Sequence, residues 1–125
     1  MPAEVHKRLY APPHLVKRAD FLRVQGSGRR FRATHVLLFV DPHDDETSRV
    51  GFTVSRRVGN AVCRNRVRRR LREVVRLHQD CLVAAVDYVV IAQPNAALAD
   101  FATLEAELTR LLVAARAFVD NIRPS

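Results

Sequence analysis

The 125-residue chain is long enough to bury a core of its own, and at 48 % hydrophobic it is not composed like a disordered segment. Its longest apolar runs, Val36 to Val40 and Tyr88 to Ala92, are far short of the about 20 residues that span a bilayer, and no apolar stretch follows the charged N-terminus as a secretory signal would require. Net charge is +8, gathered into two blocks: residues 49–78 hold ten arginines against Glu73, and residues 7–32 hold eight lysines or arginines against Asp20, a crowding that points to a polyanionic partner.

In chain order, residues 1–13 read as a flexible tail closed by Pro12-Pro13. His14 to Val24 reads as a short helix with Leu15, Ala19 and Leu22 on one stripe and Phe21 elsewhere, broken by Gly26-Ser27-Gly28. Arg30 to Val40 reads as extended chain, either one bent strand or two short ones. Asp41 to Ser48 holds Pro42 and four acids and reads as a turn-bearing loop. Its cluster of Asp41, His43, Asp44, Asp45 and Glu46 could attract a hard cation, but the better expectation is a solvated acidic loop. Val50 to Ser55 alternates as a strand, with Val50, Phe52 and Val54 on one face.

Arg56-Arg57-Val58-Gly59 leads to Asn60, a good N-cap for a helix running to His78. Asp87 to Ala92 reads as a buried strand ended by Pro94. Asp100 caps a last helix whose Phe101, Leu104, Leu108, Leu111, Leu112, Ala115 and Phe118 form a core stripe. The fold class is α/β (α+β): a two-layer sandwich with a mixed sheet of about four strands and covering helices, in one domain over residues 1–125.

On a helical wheel, Cys63, Val67, Leu71, Val74, Val75 and His78 share a stripe that packs on the sheet. Asn65, Arg68, Arg69, Arg72 and Arg76 lie opposite, with Arg66 and Arg70 on one flank and Arg64 on the other. Arg64, Arg68, Arg72 and Arg76 succeed one another at i, i+4, as do Arg66 and Arg70, and each such pair destabilises a helix by about 0.2–0.5 kcal/mol. Glu73 offers relief toward Arg69, Arg70 or Arg76. A bound phosphate backbone would reverse the sign of this repulsion, so the helix reads as a binding element. A membrane-surface helix would need a wider apolar face with larger residues; DNA remains open on charge alone.

The run Arg49-Val50-Gly51-Phe52-Thr53-Val54-Ser55-Arg56-Arg57-Val58-Gly59-Asn60-Ala61-Val62-Cys63-Arg64-Asn65-Arg66-Val67-Arg68-Arg69-Arg70-Leu71-Arg72-Glu73 resembles the signature of the bacterial ribonuclease P protein subunit. Ala19-Asp20-Phe21 with Val24, the strand Asp87 to Ala92 and the segment after Asp100 extend the resemblance to most of the chain. It implies a ribonucleoprotein endoribonuclease, a hydrolase of the cytoplasm, that removes the 5′ leader from precursor tRNA. In it the RNA subunit carries the catalysis with Mg²⁺, and no protein partner or membrane is required. It also implies a left-handed β–α–β crossover around the basic helix, although connections of this kind are right-handed in about 98 % of cases.

Carried onto this chain, the resemblance assigns Arg64, Asn65 and Arg66 to the RNA subunit, with Arg68, Arg69 and Arg72 on the same helix and Arg56 and Arg57 in the turn. Phe21 and Phe39 match aromatic positions of a leader-binding cleft, where stacking is worth roughly 1–3 kcal/mol per base. Two positions depart from the pattern. Gln25 stands where a second aromatic is common, and Arg70 where an apolar residue is common. No catalytic residue and no metal ligand is assigned in the protein. His6, His14 and His35 form no ligand pattern, Cys63 and Cys81 read as ordinary thiols, and no phosphate-binding glycine loop is present.

Overall fold

The computed structural model describes residues 14–15, 17–44 and 47–123; the tail predicted over 1–13 lies outside them. The order is α1 (Arg18–Ser27), β1 (Arg29–Arg32), β2 (Val36–Pro42), β3 (Arg49–Thr53), α2 (Ala61–Leu77), β4 (Val86–Ala92) and α3 (Phe101–Ile122), with 3-10 turns at Gln79–Cys81 and Pro94–Leu98. The strands form one mixed sheet, β1-β2-β4-β3. β1 and β2 make an antiparallel hairpin, β2 and β4 are antiparallel, and β3 and β4 are parallel. A parallel pair cannot be closed by a tight turn, so α2 fills the connection between β3 and β4. The α+β class and the four-stranded mixed sheet are as the sequence predicts.

Strand alternation divides the side chains between two faces. One face presents Val36, Leu38, Val40, Val50, Val86, Tyr88, Val90 and Ala92 to α2 and α3 and forms the main core. From α2 come Val67, Leu71, Val74 and Val75, and from α3 Leu104, Leu108, Leu111, Leu112, Ala115 and Val119. The predicted stripes are therefore the buried ones, with Val119 added and Cys63, His78, Phe101 and Phe118 at the margin. The opposite face carries a smaller cluster of Leu15, Val24 and Val89 with Phe21, Phe39 and Ile91 packed against it. No helix among the described residues is long and apolar enough to cross a membrane.

Four readings are corrected. The first helix begins at Arg18, not His14, because His14 and Leu15 pair with β3 and Lys17 is extended. His14 bridges Val50, and Leu15 donates its N–H to the Val50 carbonyl at 3.1 Å. The helix also runs through Gly26 and Ser27, helped by the Ser27 hydroxyl donating to the Arg23 carbonyl at 2.7 Å. It stops at Gly28, where a Cβ would lie 2.4 Å from the Val24 oxygen and 2.6 Å from the Val40 oxygen. Its inward face is Val24 and Phe21, whereas Ala19 is exposed and Leu22 is 54 % exposed. Finally, β2 continues into the acidic stretch as far as Pro42, where Asp41 is ion-paired with Arg23 and the His43 ring nitrogen lies 3.2 Å from Asp87, rather than both being merely solvated.

Candidate nucleic-acid interface

The basic helix is set up by the turn before it. Val58 and Gly59 donate to the carbonyls of Ser55 and Arg56, reversing the chain after β3 and leaving Arg56 and Arg57 exposed at the tip. Gly59 has φ +155°, and a Cβ there would meet the Cβ and Sγ of Cys63 at 3.0 Å. Asn60 then caps α2, its side-chain oxygen accepting from the Cys63 N–H at 2.9 Å.

α2 carries seven arginines. Arg66, Arg69 and Arg72 are exposed, as is Asn65, and Arg64, Arg68, Arg70 and Arg76 are half-buried. Arg64 donates to the Gly59 carbonyl at 3.3 Å, and Arg68 to the Asn65 side-chain oxygen at 3.0 Å. Arg72 places its guanidinium 5.9 Å from the centre of the Phe52 ring. Glu73 is taken by Arg76 at 2.7 Å, whose hydrogen bond holds the Glu73 carboxyl below its ordinary value. Among the described residues, no carboxylate is in salt-bridge contact with any of the other six arginines, although the charge of Arg70 helps to hold the Asp100 carboxyl below its ordinary value. Arg70 resolves one of the departures: it reaches from the helix flank to donate to the Ala99 carbonyl at 3.1 Å, tying α2 to the turn before α3.

Phe52 lies where α1, α2 and the β3 edge meet, and it borders two cavities. The larger, about 520 Å³, is walled by Phe21, Leu22, Gln25 and Arg18 of α1 and by Phe52, Thr53 and Val54. The smaller, about 180 Å³, lies between Phe52, His14, Val75 and the side chains of Arg69, Arg72, Glu73 and Arg76. Phe21 thus lies in the wall of the larger cleft. Phe39 is not in its wall; it is half-buried beneath α1 in the smaller cluster. Gln25 does line the cleft, giving it an amide where a ring is common. Phe52 was not among the predicted site residues: alternation puts it on one face with Val50 and Val54 but cannot reveal that this face meets α2 or that the end of β3 opens onto both cavities.

A charge network fixes the cleft's α1 wall. Asp87 of β4 is fully buried. It accepts from Arg23 of α1 at 2.7 Å and from Arg49 of β3 at 2.7 and 3.1 Å, and lies 3.2 Å from the His43 ring nitrogen. Arg23 also reaches Asp41 at 2.5 Å and Asp20 at 3.4 Å, and Arg49 reaches Asp20 at 3.6 Å. Burial alone would push the Asp87 carboxyl up; hydrogen bonds from Arg49 and Arg23 outweigh it and hold it below the ordinary carboxylate value. Beside the network, the Phe21 ring rests on Gly51, where a Cβ would come within 2.5 Å of the ring. These carboxylates are already neutralised by guanidinium groups, so they do not fit a resident Mg²⁺. The described residues contain no cluster of His, Cys, Asp or Glu suited to a metal. Cys63 and Cys81 are free thiols.

The fold and this surface define a small α+β protein built to present an arginine-rich helix beside an aromatic cleft. Residues 10–116 match the Ribonuclease P family. The chain is 40 % identical over 98 residues to the ribonuclease P protein component of Geotalea uraniireducens, covering 78 % of this chain and 86 % of that protein. It is 47 % identical over 94 residues to that of Chloroflexus aurantiacus, covering 74 % and 70 %. Among solved structures, the RNase P protein of Staphylococcus aureus superposes with a TM-score of 0.74 at 28 % identity, covering 82 % of this chain and 94 % of that one. The protein of Thermotoga maritima gives 0.74 at 28 %, covering 81 % and 96 %. The chain belongs to the Ribonuclease P family of protein components, subunits of a tRNA-processing ribonuclease.

Proposed function

We propose that the chain binds the RNA subunit of ribonuclease P and the 5′ leader of precursor tRNA in the cytoplasm, assisting Mg²⁺-dependent endonucleolytic removal of the leader. The observation that carries this reading is the exposed trio Arg66, Arg69 and Arg72 on α2, without an ion-pair partner among the described residues and flanked by half-buried Arg64 and Arg68, beside the Phe21–Phe52 cleft. Guanidinium groups are well matched to phosphate oxygens, which they can engage with two parallel hydrogen bonds. Arg56 and Arg57 extend that surface at the N-terminal end of α2, alongside Arg64, Asn65 and Arg66. Arg68, Arg69 and Arg72 continue it toward the cleft.

In the cleft, Phe21 and Phe52 offer rings on which bases can stack whatever their sequence, which suits a leader that differs between substrates. Phe39 supports the Phe21 wall from below. The protein contributes position and charge neutralisation. Mg²⁺, held by the RNA subunit and the substrate, supplies the hydrolytic chemistry. The test is reconstitution with a bacterial ribonuclease P RNA and precursor tRNA at low Mg²⁺. Addition of the protein should accelerate leader removal, and an unchanged rate would reject the reading. Competition with unrelated structured RNA and duplex DNA separates this role from general nucleic-acid binding, which predicts equal affinities.

A further inference from the structure

Strand register arranges the α1 face of the sheet in rows. Arg49, Asp87 and Asp41 form one row and lie against Arg23 and Asp20 of α1. Gly51, Val89, Phe39 and Arg30 form the next, against Phe21 and Val24. The third row is Thr53, Ile91, Leu37 and Arg32. It starts at Thr53 in the wall of the larger cleft, continues over half-buried Ile91 and Leu37, and ends at exposed Arg32 on the far edge strand. Three strand spacings separate its ends, roughly 14 Å.

The far end of this strip is cationic and uncommitted. Arg30 and Arg32 are exposed, and their side chains make no ion pair or hydrogen bond with any described residue. Arg29 differs: it sits on the opposite face with its guanidinium 5.6 Å from the centre of the Phe31 ring and 5.1 Å from that of Phe118. β1 therefore directs one arginine into packing and two toward the face the cleft opens onto. An apolar floor edged by unpaired guanidinium groups suits a single strand, whose bases can rest on the floor while its phosphates meet the charges.

We propose that Arg30 and Arg32 form a second contact for the leader, gripping the backbone of its upstream part after it leaves the Phe21–Phe52 cleft. This rests on the leader-binding reading above. The grip would make affinity rise with leader length beyond what the cleft itself holds.

The experiment measures binding of precursor tRNAs with leaders of graded length to the reconstituted ribonucleoprotein, comparing the wild type with an Arg30→Gln, Arg32→Gln double variant. Long-leader substrates should bind the variant roughly three- to thirty-fold more weakly. Their salt slope should fall by about 0.7 per lost phosphate contact. Affinity for the RNA subunit and for a substrate whose leader ends within the cleft should be unchanged, and Arg30→Lys with Arg32→Lys should restore most of the loss. Equal weakening at every leader length, weakening toward the RNA subunit alone, or no weakening at all would each overturn the proposal. A wild-type complex indifferent to the leader altogether would instead reject the cleft reading, and this proposal with it.

Discussion

Asp87 is the only polar or charged side chain buried among the described residues, and it joins elements distant in sequence. Its two guanidinium partners, Arg23 and Arg49, keep 40 % and 35 % of their side-chain surface exposed, so the network is dry on one side and wet on the other. Asp87→Asn keeps the shape and removes the charge. Loss of charge-assisted hydrogen bonds of this kind should cost about 2–3 kcal/mol in urea unfolding at neutral pH. Because the folded carboxyl is held below its unfolded value, its contribution is complete above the unfolded pKa of about 3.9 and is lost as pH falls through the folded value. The gap between wild type and variant should therefore be constant from pH ~7 to ~5 and close below ~4. A gap independent of pH would mean that shape rather than charge accounts for it. Nothing in the sequence singled out this network. Arg23 and Arg49 fell inside the two basic blocks, and counting charge by block cannot separate cations that face a partner from those neutralised within the fold.

For single elements, legibility depended on how local the determinants were. α2 and α3 follow from caps and periodicity, since Asn60 and Asp100 accept from Cys63 and Thr103 three residues on and the apolar stripes are the buried ones. α1 did not, because its start is set by pairing of Leu15 with Val50 and its end by the closeness of Gly28 to β2, both long-range facts. The same locality allows binding and stability to be separated on α2. Asn60→Ala should lower stability by about 1 kcal/mol, read as a fall in Tm of about 3–6 °C. Arg66→Ala removes a like-charge neighbour of Arg70 and should leave stability unchanged or higher by a few tenths of a kcal/mol, roughly 0.2–0.5. It should nevertheless weaken RNA binding and reduce the salt slope by about 1. A parallel loss of stability and binding in Arg66→Ala would contradict its assignment as an outward-facing contact.

Across the whole molecule, one end of the fold is self-repelling and the other self-satisfied. The α2 arginines crowd one another, whereas several charges on and just after α3 are used within the fold: Glu107 accepts from the His35 N–H at 2.8 Å, Glu105 lies 2.9 Å from the His78 ring nitrogen, and Arg116 and Arg123 donate to carbonyls of the 80–85 segment. An anion that binds the folded surface must stabilise it by mass action. Tm should thus rise more steeply with sulfate in the wild type than in an Arg66→Ala, Arg69→Ala variant; equal rises would show surface exclusion of the salt rather than binding. The α+β class was readable from element order. The two-cavity arrangement around Phe52 was not, because it depends on where helices stop over the sheet.

The contact between Phe21 and Gly51 also ties two positions thirty places apart in the chain to one shared volume. Neither can grow unless the other shrinks, so among related proteins a methyl-bearing residue at the second position should accompany a slimmer one at the first. Gly51→Ala alone should tilt the ring and unsettle the protein, and Phe21→Leu introduced alongside it should recover the lost melting temperature while leaving the cleft with Phe52 as its one ring. Independent, additive effects of the two changes would show that the ring has somewhere else to go.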